Sequence, residues 1–378
     1  MKKIRFGIIG GGLMGREFAS ATARWGHLLD MPARPEIVAV CDKNPQLFAW
    51  YRENVPVTQL TEDYRELLAN PSVDVVYVAV PHHLHAELYC AAIRAGKHLM
   101  GEKPFGIDLA ANQEILRCAA EHPEVLVRCS SESPFFPAMQ RLCDLIESGS
   151  FGRTIEVNTG FLHSSDLDPS KPINWKRMVE YNGEYGCMGD LGMHACHVPL
   201  RAGWQPLNVR AILSKIVPQR PDGKGGMVPC KTWDNASLLC SATAPGGDSF
   251  PLSIKTHRIA PGQKNTWFTE VLGTRASARW SSANPNMLEL MEFDGGEQSF
   301  RAIQTGYTPA FKTITGGIFE FGFTDSILQM WAAFVYELAM GKPLKKFAGC
   351  VTPEETHLTH RLFTAALQSQ AHETVVPV

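Results

Sequence analysis

A strand-like apolar run from Ile4 to Ile9 breaks into Gly10-Gly11-Gly12-Leu13-Met14-Gly15, and no other stretch of the chain restricts its fold as far. The pattern is G-x-G-x-x-G, and a helical period from Met14 to Arg24 follows it. Strand, glycine turn and helix in that order open a βαβ unit of the kind that binds a dinucleotide. A side chain at any of the three glycines would block the tight turn, the approach of a pyrophosphate to the backbone, or the packing of helix on strand. The helix start offers unpaired N–H groups and the positive end of the dipole, so an anion belongs there. Gly10, Gly12, Leu13, Met14 and Gly15 are therefore expected to hold the cofactor.

A second apolar run, Ile37 to Cys41, ends in Asp42, where a carboxylate can accept hydrogen bonds from ribose hydroxyls. The same charge repels a 2′-phosphate, which points to NAD, with NADP as the alternative. Asp42 lies further beyond Gly15 than the usual spacing of about 20 residues. The stretch Trp25 to Glu36, with Pro32 and Pro35, reads as an extended loop that accounts for the excess.

Strand and helix signals then alternate: a helical turn at Asp63–Leu68, strands at Val73–Val80, His98–Met100 and Val125–Cys129, and helices at His85–Ala95 and Asp108–Ala120. Near-continuous apolar strands joined by helices predict a doubly wound parallel sheet covered on both faces. Ligands bind such sheets beyond the carboxyl ends of the strands. Two of those ends are Pro81-His82-His83-Leu84-His85 and Glu102-Lys103-Pro104.

Past residue 130 the pattern changes. After a linking helix at Pro134–Ser148, a strand at Thr154–Phe161 and a helix at Gly186–Ala202, several strand-like stretches separated by Gly and Pro turns run from Asn208 to Phe293. They predict an α+β region on a large, mostly antiparallel open sheet. Helices follow at Asp325–Met340 and Pro353–Ala371. With 378 residues, more than one core usually accommodates, the expectation is an α/β protein of two domains, 1–130 and 131–378, with helix 353–371 packing back toward the first.

Net charge is −2 without a block of like charges, which argues against nucleic acid or an anionic membrane as partner. No apolar run reaches the length of a membrane span, and the start lacks the pattern of a secretion signal. Ten cysteines without a C-x-x-C pair fit reduced, buried thiols and a cytoplasmic location.

Two places carry chemistry. Lys103 follows a strand of the nucleotide domain, and Pro104 restricts it to extended backbone, so its ammonium projects from a defined position. In Cys187 to His197, offsets of four and seven put Asp190, His194 and His197 on one face of a helix. A carboxylate one turn from an imidazole can fix its tautomer and raise its basicity, as a general base requires. The same three residues could serve as metal ligands, but lysine and cofactor already account for the charge handling, so no metal is expected.

An N-terminal G-x-G-x-x-G, a later E-K-P and a D-x-G-x-H in a second domain, taken in order, resemble the Gfo/Idh/MocA family of NAD(P)-dependent oxidoreductases. Further support comes from Val80-Pro81-His82-His83-Leu84-His85, Trp175-Lys176-Arg177 and Gly341-Lys342-Pro343. The resemblance implies a Rossmann domain followed by an α+β domain whose open sheet serves as an oligomer interface, in a dimer or tetramer. It implies that Lys103, Asp190 and His194 occupy the catalytic positions. It also makes Pro81, His85, Glu102, Lys103, Trp175 and Arg177 candidates to line the cofactor. The chain departs from the family with His197 where Asp is frequent, and with Ser133-Pro134-Phe135-Phe136 where an arginine is frequent.

The reaction so implied is hydride transfer between nicotinamide C4 and a secondary alcohol of a sugar, cyclitol or related polyol, with Lys103, Trp175, His194 and His197 toward the substrate. One alternative is a glycoside-cleaving cycle of transient C3 oxidation, elimination and hydride return. The other is a dinucleotide-dependent sensor or scaffold without turnover.

Overall fold

The computed structural model describes residues 1–305 and 309–378. The chain divides into two units, Met1–Phe135 with Thr308–Thr356, and Phe136–Tyr307 with His357–Val378. The first is built on strands β1 (Lys2–Ile9), β2 (Ala33–Cys41), β3 (Gln59–Thr61), β4 (Val75–Val78), β5 (His98–Gly101) and β6 (Val127–Cys129). Every pair is parallel, in the order β3-β2-β1-β4-β5-β6. Helices α1 (Leu13–Ala23), α2 (Phe48–Asn54), α3 (Tyr64–Ala69), α4 (His85–Arg94) and α5 (Leu109–Glu121) make the crossovers. Asp63 and Asp108 start α3 and α5 by accepting bonds from the N–H of Arg65 (2.9 Å) and Ala111 (2.8 Å), the usual work of an N-cap carboxylate.

The extended loop expected before Asp42 is shorter than Trp25–Glu36, because β2 already begins at Ala33 and carries Pro35 within it. Strand β3 pairs only with Ala39–Cys41, so at Pro35 the strand has a neighbour on one side, the edge position that proline tolerates. Helix α2, unmarked by any cap in the sequence reading, follows a proline-led turn at Pro45–Leu47.

The second unit contains α6 (Pro137–Glu147), β7 (Thr154–Leu162), α7 (Val179–Asn182), α8 (Cys187–Ala202) and β8 (Gln205–Ser214). After a small hairpin of β9 (Gln219–Pro221) and β10 (Met227–Pro229) come β11 (Asn235–Thr243), β12 (Ser249–His257), β13 (Thr266–Gly273), β14 (Ala276–Ser281), β15 (Met287–Glu292) and β16 (Arg301–Gln304). Helix α9 (Phe323–Met340) belongs to the first unit, α10 (Pro353–His372) continues from the first into the second, and β17 (Val376–Pro377) closes the chain. The nine-stranded sheet runs β16-β15-β14-β13-β7-β12-β11-β8-β17, antiparallel except for the central pair β7 and β12. Burial alternates along β11 and β12, as a sheet with one covered face requires. Helix α8 covers β7 and β12, while the opposite face presents Ile212, Leu239 and Lys255.

Helix α9 completes the core of the first unit although some 300 residues separate it from β1. Trp331 lies against Phe18 with ring centroids 3.9 Å apart and meets Tyr77 edge-on at 4.8 Å. Arg24 pairs with Asp325 at 2.8 Å, and Arg128 with Glu337, pinning both ends of the helix. Among the described residues no helix is long and apolar enough to cross a membrane.

Candidate active site

In the first unit the candidate residues gather at the carboxyl ends of the parallel strands. The strand order reverses between β1 and β4, the switch point where α/β sheets bind ligands. Gly10 has φ +100°, and a Cβ there would lie 2.3 Å from the carbonyl oxygen of Ala79, so only glycine closes this turn. A Cβ at Gly15 would lie 2.5 Å from the Gly10 carbonyl, which explains the third glycine by helix–strand packing. Gly12 is different: nothing lies within 4 Å of its added Cβ. The protein itself does not demand a glycine there. A ligand phosphate drawn against the backbone at the start of α1 would, and in this respect the loop fits a dinucleotide. Leu13 is exposed and Met14 half-buried beside it.

Asp42 follows β2 and reaches back to the loop, one oxygen accepting from the N–H of Gly11 and the other from that of Asn44, both at 2.8 Å. A carboxylate oxygen can accept more than one bond, so both retain capacity for ribose hydroxyls. Pro81 is half-buried after β4. His85, fully buried, has Nε2 3.0 Å from the carbonyl of Val80, and its Nδ1 accepts from the N–H of Gly106 at 3.4 Å. That pairing selects the neutral tautomer protonated on Nε2 and ties the end of β4 to the turn after Lys103.

Glu102 is buried at the end of β5. One of its oxygens accepts from the hydroxyls of Tyr77 and Ser130, each at 2.7 Å, and its backbone carbonyl accepts from Tyr89 at 2.7 Å. Burial, reinforced by the Glu102 charge, holds both tyrosines well above their usual range, so their hydroxyls stay protonated and can donate. Lys103 follows, half-buried, with a cis bond to Pro104. Sequence reasoning overlooked Glu132, buried beyond β6. Burial first, and then the Glu102 charge, push its carboxyl up to about 7, against the opposing pull of Lys103. A lone Glu in an irregular segment carries no pattern that would single it out.

In the second unit the candidates sit at the start of α8. Every residue of this helix is buried, so Asp190, His194 and His197 share a face that is packed against protein throughout. Asp190 lies in the first turn, where the helix dipole favours its charge. One carboxylate oxygen accepts from Lys176 Nζ at 2.9 Å, and the other pairs with the Arg258 guanidinium. The His194 ring stands edge-on to Phe161 at 5.5 Å and tilted to Trp267 at 5.4 Å, an aromatic wall that keeps the imidazole in place. Sequence reasoning missed Arg258 and Asp166, isolated charges after strands that no spacing rule links to Asp190.

Trp175 and Arg177, neighbours in one 3-10 turn, diverge. Trp175 is half-buried with Lys176 Nζ 5.6 Å from its ring, whereas Arg177 is 0% exposed and paired with Asp234 at 2.8 Å and Asp166 at 3.1 Å. His197 is likewise enclosed: neither ring nitrogen has a hydrogen-bond partner among the described residues. Burial, then Arg201 and His194, hold it well below its usual range, so it is neutral. Among the described residues no group of three His, Cys, Asp or Glu is placed to hold a metal ion, and all ten cysteines are buried without disulfides.

Residues 4–128 match the oxidoreductase family with an NAD-binding Rossmann fold, Gfo/Idh/MocA. Over 321 residues the chain is 26% identical to levoglucosan dehydrogenase of Pseudarthrobacter phenanthrenivorans, covering 82% of this chain and 81% of that protein. A solved structure of levoglucosan dehydrogenase with NADH and L-sorbose has the same fold, with a TM-score of 0.89 at 24% identity over 100% of this chain and 99% of the other. An NAD binding oxidoreductase from Klebsiella pneumoniae is 26% identical with a TM-score of 0.89, again over 100% and 99%. The glycine loop and the strands around it lie in the part of the chain, residues 4–128, that matches the Gfo/Idh/MocA oxidoreductases with their NAD-binding Rossmann fold.

Proposed function

We propose that this protein is an NAD-dependent dehydrogenase or reductase acting on a secondary alcohol of a sugar, cyclitol or related polyol. The observation that carries the reading is the glycine at position 12, which the chain's own packing does not require and an approaching phosphate does. Asp42 would take the ribose hydroxyls and set the preference for NAD. Glu102, held by Tyr77 and Ser130, Pro81 and the half-buried Trp175 are further candidates to line the cofactor. His85 would support this lining from below, as a clamp on the Lys103 turn. The likeness to levoglucosan dehydrogenase, an enzyme of an anhydrosugar by its name, supports the substrate class.

The bound nicotinamide supplies the site of hydride exchange. The chain's residues handle the proton. Oxidation of a carbinol requires its hydroxyl proton to leave, so His194 takes that proton as general base, with Asp190 stabilising the imidazolium that results. Lys103 donates a hydrogen bond to the same oxygen and balances its developing negative charge. Arg177 and His197, both enclosed, have no part in substrate or cofactor contact in this reading. The open face of the nine-stranded sheet, bearing Ile212 and Leu239, is where we propose that copies associate, which light scattering of the purified protein checks.

The deciding experiment is a panel of polyols, anhydrosugars and aryl glycosides with NAD⁺, following NADH absorbance and aglycone release together. NADH formation with a polyol or anhydrosugar supports the reading. Aglycone release without net NADH would replace it with the glycoside-cleaving cycle, and no turnover on any member would refute it.

A further inference from the structure

The two central strands of the second sheet are its only parallel pair among the described strands, and this has a geometric result. The carboxyl ends of β7 and β12 arrive side by side, Leu162 opposite His257, and the N–H of His163 donates to the carbonyl of His257 at 2.7 Å. Residues 163–166 and Arg258 therefore leave the sheet at one place. The first turn of α8 arrives there too, since the Thr256 hydroxyl donates to the Cys187 thiol at 3.7 Å.

A buried chain of alternating charge results. Lys176 pairs with Asp190, and Asp190 with Arg258. Arg258 donates to Asp166 at 2.9 Å and to the Ser165 hydroxyl at 2.9 Å. Asp166 pairs with Arg177, and Arg177 with Asp234. Asp234 ends the series by accepting from the N–H groups of Ile216 (2.6 Å) and Val217 (3.0 Å). Burial alone would raise the Asp166 carboxyl, but Arg258 and Arg177 outweigh it and hold it below the ordinary range. Burial would likewise lower Arg258, and Asp190 and Asp166 outweigh that. Such a chain is a poor source of stability, because desolvation consumes most of the Coulombic gain and apolar side chains of equal volume often serve as well. Its use lies in orientation.

We propose that Arg258 is a positioning residue which, with Lys176, pins the Asp190 carboxylate in the first turn of α8, one helical turn from His194. This rests on the reading of His194 as the base. Arg258 does not touch the reacting atoms. It acts through Asp190, because a planar guanidinium braced by Asp166 and Ser165 on its far side fixes the carboxylate in angle as well as distance. Within this unit the other titratable or charged groups facing this end of α8 among the described residues include His163, Asp166, Lys176, Arg177, Asp234 and the Cys187 thiol, with His197 along the helix. His163 is held below its usual range by burial and then by Arg258.

The test is an NMR titration of the imidazole Cε1–Hε1 signals in the full chain, with His194 assigned from its loss in His194→Gln. Removing one cation from the group favours the imidazolium, so Arg258→Met should raise the His194 midpoint by roughly one unit, the low end for a neighbouring charge. Arg258→Lys keeps the charge but not the fork. It should leave the midpoint within a few tenths and lower kcat on the best substrate of the panel roughly tenfold, with NADH binding by fluorescence unchanged. An unaltered His194 titration in Arg258→Met protein that still binds NADH would overturn the proposal. If Arg258→Met does not fold, undiminished kcat in Arg258→Lys does the same. A chain that turns over no alcohol at all defeats the functional reading instead, and the titration still reports on Arg258.

Discussion

Glu132 allows the electrostatics of the first unit to be tested without any substrate. Its carboxyl is raised from an ordinary 4.5 to about 7, by burial first and by Glu102 second. A group whose folded value exceeds its unfolded one contributes stability below the unfolded value, and the contribution is lost as pH rises through the folded one. Glu132 is thus harmless at pH 4 and costly at pH 8. Replacing it by Gln, a neutral mimic of the protonated acid, removes the penalty. A shift of 2.5 units at about 1.4 kcal/mol each gives about 3 kcal/mol at pH 8 and below about 1 kcal/mol at pH 5. Glu132→Gln should therefore melt roughly 6 to 12 °C above the parent at pH 8 and nearly with it at pH 5, on the scale of about 2 to 4 °C per kcal/mol for a unit of this size. Differential scanning calorimetry of both proteins at the two pH values measures this directly. A pH-independent difference, or a Gln variant less stable at pH 8, would refute the burial of this carboxyl beside Glu102.

Three more outcomes are expected. Lys103→Ala and His194→Ala should each lower kcat about 10²- to 10⁴-fold while the Kd for NADH stays near the parent value, and normal turnover in both would remove their assignment. Asp42→Ser should narrow the preference for NAD over NADP by roughly tenfold or more in kcat/KM, and a parent enzyme that already prefers NADP would contradict its role. Trp331→Ala leaves a hole among Phe6, Phe18, Tyr77 and Phe334 and should cost about 3 to 5 kcal/mol in urea unfolding, where a loss under 1 kcal/mol would mean that α9 is not part of this core.

The first sheet was readable because its signals are local. An apolar run, a glycine turn and a helix start each declare themselves within a few residues, and Asp63 and Asp108 mark helix starts by their own side chains. The glycine loop, Asp42 and the E-K-P turn could be placed at strand ends for the same reason. Helix α2 escaped because it is short, begins on an apolar residue and has no side-chain cap. Strand β2 was cut short because Pro35 reads as a loop signal, and only its missing neighbour on the β3 side makes it tolerable.

The residues that surround Asp190 were beyond the reach of sequence. Asp166, Arg177, Asp234 and Arg258 lie tens of residues apart on different elements, and nothing in their spacing encodes a meeting. Ion pairing has no period, whereas helices and strands do. The chain of residues by itself determined the dinucleotide loop, the parallel sheet around it and the helix that sets Asp190 one turn from His194, since each depends on backbone geometry over a few positions. Tertiary structure alone decided that α9 fills the first core, that Arg177 and His197 are sealed inside, and that Arg258 meets Asp190. Those outcomes depend on which distant surfaces exclude water together, a property of the folded whole.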